Sequence, residues 1–314
     1  MIGYYVHHHG RGHLHRALAL AGELDEEVVG LSSLPRPDSW PGGWLELERD
    51  DRGSAVVDRE ANGRLHWVPV GDAGLSRRMR QLSAWLDDAR PRSVVVDVSV
   101  EVALLTRLHG VPVVGVLQPG RRTDAAHLLG FEVADRLVAF WPPAVTADLL
   151  PDLPDAVLGK VTALGALSRF PVAAPAARRP GPPRAVLLSG AGGAELRAQP
   201  VRGWDWSVLG PSTWRDDPRR CIEEADVVVT HAGENAVAEV AALRRPAVVV
   251  PRPRPHDEQL VTALVLRSDA WPAVVAGETA WADRMATAAA LDGGRWSAWC
   301  DGLAARRFAE VVAT

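Results

Sequence analysis

The chain has 314 residues, of which 47% are hydrophobic and 24% charged, and its formal net charge is −4. This is the balance of a soluble globular protein with room for two domains of roughly 150 residues each. The absence of a basic excess argues against nucleic acid or an anionic membrane as partner. The sequence contains no run of about 18 apolar residues, so no transmembrane helix is predicted.

The cysteine content and the N-terminus predict the compartment. Cys221 and Cys300 have no CxxC partners, so thiolate metal sites and redox motifs are not expected. The first residues lack a basic segment followed by an apolar core, so no signal peptide is predicted. We therefore expect a cytoplasmic protein, with peripheral membrane contact left open. Lys160 is the single lysine among 35 basic residues, a bias typical of a GC-rich bacterial genome.

The first half of the chain alternates apolar strands with amphipathic helices. Residues 35–64, rich in proline, glycine and charge, predict loops with one or two short strands. Strands are predicted at Ile2–Val6, Val28–Leu31, Ser93–Val98, Val111–Leu117 and Arg136–Phe140, and helices at Leu14–Leu24, Leu75–Leu86 and Val100–Leu108.

A proline-rich stretch without periodicity, residues 171–183, predicts a linker. The alternation then restarts, and residues 296–314 show helical spacing. The main elements predicted after the linker are strands at Ala185–Leu188, Ser207–Leu209, Asp226–Thr230 and Ala247–Val250, and helices at Glu234–Leu243 and Asp257–Leu266. This pattern predicts an α/β protein with two Rossmann-like domains, residues 1–170 and 184–295, facing a cleft.

The turn after the strand Asp226–Thr230 is the strongest functional signal. It leads into a helix whose free N–H groups and positive dipole end suit a diphosphate. Asn235 and Glu239 share one helix face about 6 Å apart, which places a ribose near Glu239. Glu258 and Gln259 open the next helix, at the mouth of the next strand, and are placed to hold sugar hydroxyls.

These residues resemble the donor-binding box of GT-B glycosyltransferases. The pattern His231-Ala-Gly233-Glu-Asn235-Ala-Val-Ala-Glu239, followed by Glu258-Gln259, is similar to the plant secondary-product signature and to the lipid II-forming N-acetylglucosaminyltransferase. The resemblance implies that His231 and Asn235 contact the diphosphate, Glu239 the ribose, and Glu258 and Gln259 the sugar.

Two positions differ from that family pattern. Ala236 stands where a serine or threonine usually binds phosphate, and Glu234 adds a negative charge at the helix tip that disfavours phosphate.

The resemblance also implies a terminal helix, residues 296–314, that packs back on the N-terminal domain. The stretch after Ala185–Leu188 resembles the first glycine loop of the same donor domain, and its phosphate-binding candidates are Ser189, Gly190 and Gly192.

The segment Gly10-Arg11-Gly12-His13 resembles the G-x-G-H element that follows the first strand of GT-B enzymes and of a related nucleotide-sugar hydrolase of nonulosonic acid synthesis. By this resemblance Gly12 approaches the donor and His13 is the general base; an imidazole titrates near neutrality, which suits this role. Asp97 ends a strand on the same edge and would orient the ring. The plainer alternatives are a histidine that contacts backbone and an aspartate that caps the next helix.

Metal and other cofactors are not predicted. His7, His8 and His9 alternate faces of a strand, and no carboxylate or cysteine lies at ligand spacing in the sequence. The chain also lacks an Asp-x-Asp pair. Residues Gln118–His127, with Arg121, Arg122, Asp124 and His127, either line an acceptor pocket or form a solvated loop.

The leading interpretation is a metal-independent, inverting glycosyltransferase. It would move a hexosyl or N-acetylhexosaminyl group from a nucleotide-sugar, with UDP favoured, to a hydroxyl acceptor of unknown type. The alternatives are a nucleotide-sugar hydrolase in which His13 activates water, and a non-catalytic nucleotide-sugar binding subunit.

Overall fold

A computed structural model gives the structure of the protein. It describes residues 1–9, 11–52, 56–174, 180–189, 196, 200–213, 215, 217–277 and 280–314.

The N-terminal sheet has seven strands, all paired in parallel, in the order β3-β2-β1-β4-β5-β6-β7. Consecutive buried valines make these strands apolar on both faces, as a sheet covered on both sides requires. The strands are β1 (Ile2–Val6), β2 (Val28–Ser32), β3 (Trp44–Glu46), β4 (Ser93–Asp97), β5 (Val113–Val116), β6 (Arg136–Ala139) and β7 (Val161–Ala163).

Helices connect these strands. Side-chain caps begin three of them: the carboxylates of Asp72 and Asp124 and the hydroxyl of Ser99 accept from backbone N–H groups in the first turns of α2, α4 and α3. The helices are α1 (Arg11–Ala21), α2 (Ala73–Ala89), α3 (Val100–Leu108), α4 (Ala125–Val133), α5 (Thr146–Leu149) and α6 (Asp155–Leu158).

The C-terminal sheet has five parallel strands in the order β12-β11-β10-β8-β9. Its strands are β8 (Arg184–Leu188), β9 (Asp205–Leu209), β10 (Val227–Thr230), β11 (Ala247–Val249) and β12 (Ala273–Val275), and its helices are α7 (Arg219–Glu223), α8 (Glu234–Ala242), α9 (Glu258–Leu266) and α10 (Trp281–Ala289). The two sheets with interleaved helices confirm the predicted α/β class.

The last helix, α11 (Ala304–Ala313), returns to the N-terminal sheet. Phe308 and Val312 are buried in the same apolar cluster as Ile2 and Phe140. Arg307 adds a hydrogen bond from Nη1 to the Leu164 carbonyl oxygen at 2.8 Å. The terminal helix therefore packs where the resemblance implied.

Each sheet has a point where the direction of strand winding reverses, and ligands of parallel sheets bind outside the carboxyl ends of the strands there. In the N-terminal sheet this point lies between β1 and β4, and Val6 pairs with Asp97 at its edge. In the C-terminal sheet it lies between β8 and β10, which end at Leu188 and Thr230.

The structure corrects several element boundaries. Helix α1 begins at Arg11 rather than Leu14, so Gly12 and His13 lie in its first turn and not in a loop. Strands β7 and β12 were not predicted, because each has only three residues and none of them is fully buried. No helix in the described ranges is long and apolar enough to cross a membrane.

Candidate active site

A cleft of about 350 Å³ lies where α1 of the N-terminal half faces α8 and α9 of the C-terminal half. It brings together most of the residues that the sequence singled out. Its predicted lining residues are Gly12, His13, His231, Gly233, Asn235, Glu258 and Gln259, and it is also lined by His9, Arg16, Gln118, Arg122, Glu234, Ala236, Arg254, Pro255 and His256.

His13 and Asp97 meet at the N-terminal side of this cleft. His13 Nδ1 lies 3.1 Å from Asp97 Oδ1, and the histidine side chain is 16% exposed, whereas the aspartate is fully buried. The hydroxyl of Ser99 caps α3, so Asp97 is not occupied with the cap that the sequence allowed as its alternative role. Asp97 is therefore placed to fix the ring of His13.

Arg16 is the third member of this group, and no motif in the sequence pointed to it. Its Nη1 donates to Asp97 Oδ1 at 3.0 Å, and its guanidinium lies 5.3 Å from the ring centroid of Phe140. Burial acts to raise the pKa of Asp97, but the positive charges of His13 and Arg16 outweigh it and lower that pKa below its ordinary value. Asp97 is therefore held as a carboxylate.

The same arginine crosses the interface to α8. Arg16 Nη2 donates to Glu234 Oε1 at 2.7 Å, and both side chains are largely buried. Burial raises the pKa of Glu234, while Arg16 acts to lower it. The negative charge that the sequence placed at the helix tip is thus paired with Arg16, which weakens its repulsion of a bound anion.

The N-terminus of α8 presents its amides to the cleft beside His231. The Gly233 N–H donates to His231 Nδ1 at 3.1 Å, so a neutral ring carries its proton on Nε2. Burial, together with the charges of Arg254 and Arg252, lowers the pKa of His231 to about 4. A neutral imidazole with an N–H donor suits an oxyanion. A Cβ on Gly233 would lie 2.7 Å from His231 Cε1, which explains the glycine.

At Gly12 the N-terminal wall of the cleft lies close to Asn235 on the C-terminal wall. A Cβ at this position would lie 2.4 Å from Asn235 Nδ2. Any larger residue would displace the amide of Asn235, so the glycine preserves the position of a side chain on the opposite wall.

Glu239 is not among the residues that line this cleft. Its Oε1 accepts from Arg169 Nε at 2.8 Å, and the two side chains line a small separate recess together with Asn235. Burial raises the pKa of Glu239, and Arg169 opposes the shift. Glu239, for which the sequence predicts a contact with the ribose, is thus paired with Arg169 in this structure.

Gln259 and Glu258 lie at the start of α9, as the sequence pattern indicated. Gln259 is buried, and its Oε1 accepts from the Arg252 N–H at 3.0 Å. The preceding His256 has a left-handed backbone with φ of 59°, and its carbonyl oxygen accepts from the Arg121 N–H at 2.7 Å. This contact ties the start of α9 to the loop after β5.

Of the three glycine-loop candidates, Ser189 alone is among the residues that the structure describes. Ser189 is buried, its hydroxyl accepts from the Leu196 N–H at 2.8 Å, and it is not among the residues that line the cleft. Gly190 and Gly192 lie outside the described residues.

Comparison with known proteins agrees with this architecture. Residues 204–275 match the family model of the glycosyltransferase family 28 C-terminal domain. MurG of Acinetobacter baumannii is 17% identical, with 99% of this chain and 98% of that chain covered and a TM-score of 0.65. CalG4, the calicheamicin glycosyltransferase, is 15% identical over 99% and 97%, with a TM-score of 0.64. The spinosyn rhamnosyltransferase SpnG, complexed with thymidine diphosphate, is 14% identical over 100% and 96%, with a TM-score of 0.62.

The chain has the GT-B glycosyltransferase fold. The predicted superfamily is thereby confirmed, and the matched segment contains the helix tip at Gly233. No curated protein sequence matches the chain.

Three cationic groups of this GT-B cleft were not assigned to the donor by the sequence: Arg16, Arg122 and Arg254. Arg254 belongs to the stretch Arg-Pro-Arg-Pro-His that precedes α9, and this alternation of arginine and proline was a usable signal. Arg16 and Arg122 on the N-terminal wall and Arg254 in this stretch place positive charge in the same cleft as the α8 amides. The serine or threonine hydroxyl of the family pattern is missing there, because the residue is Ala236.

A second, largely apolar cavity of about 170 Å³ adjoins the cleft inside the N-terminal half of the GT-B fold, and the two share Gln118, Arg122 and His256. Valines of β4 and β5 and Phe131 form its walls. At its mouth Arg122 Nη1 lies 3.0 Å from His127 Nε2, and His127 Nδ1 lies 2.6 Å from Asp124 Oδ2. The Gln118–His127 segment therefore includes cavity-lining residues and is not wholly a solvated loop.

Proposed function

We propose that the protein is a glycosyltransferase that moves a sugar from a nucleoside diphosphate donor to a hydroxyl acceptor by a metal-independent, inverting displacement. The observation that carries this proposal is that His13, which is paired with the buried Asp97, and the N-terminus of α8 line the same cleft. A base and an anion-binding helix tip on opposite walls are what a displacement at a sugar carbon bonded to diphosphate requires.

The donor would lie along the C-terminal wall. The α8 amides, the Nε2–H of His231, Asn235 and Arg254 would hold the diphosphate, and their positive potential would take the place of a cation. Glu258 and Gln259 would hold the sugar hydroxyls. Binding of the ribose by Glu239 requires that this carboxylate share or exchange its contact with Arg169.

The reaction would proceed in one step. An acceptor hydroxyl attacks the anomeric carbon, the bond from that carbon to the diphosphate oxygen breaks, and the nucleoside diphosphate leaves with the electron pair. His13 takes the hydroxyl proton, and Asp97 stabilises the resulting imidazolium. A single displacement inverts the configuration at the anomeric carbon.

The cavity beside the cleft supports transfer over hydrolysis. Water needs no apolar chamber, whereas the cavity lined by Val96, Val113 and Phe131 offers room for the body of an organic acceptor. Its polar mouth would direct an acceptor hydroxyl toward the cleft. The sequence favoured UDP as the nucleotide, and SpnG, one of the similar structures, is complexed with thymidine diphosphate. The binding test therefore includes sugars linked to either nucleotide, with hexosyl and N-acetylhexosaminyl groups.

The donor half of the proposal is tested by thermal shift with UDP-, dTDP- and GDP-sugars, followed by calorimetry on the best ligand. Binding to the native state raises the melting temperature by mass action. We expect one nucleotide class to do so, and we expect Asn235→Ala to weaken its binding. Arg220→Ala is a suitable control, because Arg220 forms an exposed pair with Glu224 outside the cleft. If no nucleotide-sugar binds, the proposal is wrong.

The transfer half is tested by release of nucleoside diphosphate with and without a panel of hydroxyl acceptors. Acceptor-dependent release supports transfer. Equal release without acceptor would favour the hydrolase. Tight binding with no release under any condition, and no effect of His13→Ala on the biological output, would favour a non-catalytic binding subunit.

A further inference from the structure

The consecutive histidines after β1 have no part in the transfer proposed above, yet the fold brings carboxylates to two of them. His8 Nε2 lies 3.5 Å from Asp51 Oδ2 and 3.8 Å from Asp50 Oδ1. His9 Nε2 lies 3.2 Å from the same Asp51 oxygen. Both aspartates follow β3 and are about 40 residues away in the sequence, so spacing along the chain could not reveal them.

The His8 side chain is buried without a hydrogen bond to any described residue. It is 3% exposed, and within the described part of the chain neither of its ring nitrogens makes a hydrogen bond. A buried polar group left in this condition costs on the order of 1–3 kcal/mol. A ligand bound to the His8 nitrogen would remove this cost.

The spacing of the ligand atoms fits a transition-metal ion. Zinc binds nitrogen and oxygen at about 2.0–2.2 Å in tetrahedral geometry, so two of its ligand atoms lie about 3.4 Å apart. The distances from Asp51 Oδ2 to His9 Nε2 and His8 Nε2, 3.2 and 3.5 Å, lie on both sides of this value. Two imidazoles with one carboxylate favour zinc and its first-row neighbours over magnesium or calcium, which prefer oxygen ligands.

Two arginines already partner the carboxylates. Arg49 Nε donates to Asp51 Oδ1 at 2.8 Å, Arg49 also contacts Oδ2, and Arg78 Nε lies 3.5 Å from Asp50 Oδ2. A plain arginine–carboxylate network is therefore the competing explanation. It accounts for both aspartates but leaves the buried nitrogens of His8 without a hydrogen bond to a described residue. An ion would take Asp51 Oδ2 while Arg49 keeps Oδ1.

We propose that His8, His9 and Asp51, whose ligand atoms all lie within 4.8 Å of one another, bind one divalent transition-metal ion, with zinc as the expected occupant. The ion would hold the loop after β3 against the residues that follow β1. From these residues the chain continues to His13. This site is separate from the diphosphate contacts of α8, and the proposal does not depend on sugar transfer.

The test is calorimetric titration of the chelator-treated full-length protein with Zn²⁺, alongside Co²⁺ followed by visible absorption. We expect one ion per chain, a raised melting temperature in Zn²⁺, and a tetrahedral cobalt spectrum. Absence of Zn²⁺ binding by the wild-type protein would overturn the proposal.

Variants identify the ligands. Loss of a residue that merely supports a ligand costs about 10–100-fold in metal affinity, so His8→Ala and Asp51→Asn should each cost at least about tenfold. His66→Ala is the matched control, because His66, Asp124 and His127 form a second group of compatible ligand atoms. Loss of binding in His66→Ala alone, or unchanged binding in Asp51→Asn, contradicts the assignment. If His8→Ala does not fold, Asp51→Asn decides.

Discussion

The two walls of the cleft are built on different principles. On the N-terminal wall, His13 and Arg16 both contact Asp97, which is fully buried. On the C-terminal wall, the tip of α8 offers backbone amides and the exposed amide of Asn235. The contacts of His13 are thus set by the fold alone, whereas the tip of α8 faces the cleft.

Arg16 joins the two walls. It shares one guanidinium between Asp97 on β4 and Glu234 on α8, so the carboxylate beside His13 and a contact between the two walls depend on the same side chain. Variants of either wall should therefore separate catalysis from binding, whereas a variant of Arg16 should disturb both.

The largest effect is expected from His13→Ala. Loss of a positioned general base typically costs about 10²–10⁴-fold, so kcat should fall by that factor. Since the donor contacts lie on the opposite wall, the Kd of the nucleotide should change little. The check is initial rates of nucleotide release with acceptor, together with calorimetry. A kcat within threefold of wild type would remove His13 from the mechanism.

Arg16→Met should be nearly as severe, in stability as well as in rate. Breaking a buried ion pair by removing one partner costs about 3–5 kcal/mol, because the remaining charges stay buried. Urea unfolding measures the loss, and Arg16→Met combined with Glu234→Gln should recover part of it.

The exposed pair of Arg121 with Asp152 provides the control for Arg16. Arg121→Met should cost less than about 1 kcal/mol, since exposed pairs contribute little. Equal losses in the two variants would show that the Arg16 contacts are no different from a surface pair.

Local signals in the sequence predicted the strand, turn and helix that form the C-terminal wall of the cleft. His231, Gly233 and Asn235 fall within five consecutive positions after a valine strand, so one short pattern carried the strand, the turn and the helix tip. The predicted parallel sheets followed from continuous apolar strands separated by helices. The edge strands β7 and β12 were missed, because three residues without full burial leave no readable periodicity.

Contacts between distant residues could not be predicted in the same way. Arg16 is 81 positions from Asp97 and 218 from Glu234, and its place in a helix pattern gave no sign of either partner. The same holds for Asp51 beside His9, 42 positions apart. Such pairings depend on strand order and on how the two halves meet, and periodicity within one element carries no information about either.

The contribution of His231 on the C-terminal wall to stability should depend on pH. His231 has a folded-state pKa of about 4, while an unfolded histidine has about 6.5. As pH falls, the unfolded state gains the proton first, so the contribution of His231 to stability is complete above pH 6.5 and is lost toward pH 4. At pH 5 the loss amounts to about 2 kcal/mol.

His231→Asn should therefore lose less stability than wild type between pH 7.5 and pH 5, as measured by urea unfolding. Parallel pH profiles for the two proteins would mean that the ring is not held neutral by its surroundings.

The smallest effect is expected where the walls touch. In Gly12→Ala the new methyl group would meet the Asn235 amide, the free end of a side chain, so Asn235 can turn away without a change of fold. Loss of its hydrogen bond to a charged diphosphate should weaken donor binding about tenfold, while kcat and stability stay near wild type. Gly22→Ala, at the other end of α1, is the matched control, since its added methyl group would lie 3.5 Å from the Leu18 carbonyl oxygen. Calorimetry on both variants decides: if Gly12→Ala binds donor as wild type does, Asn235 does not contact the diphosphate, and the donor wall consists of backbone amides and cations alone.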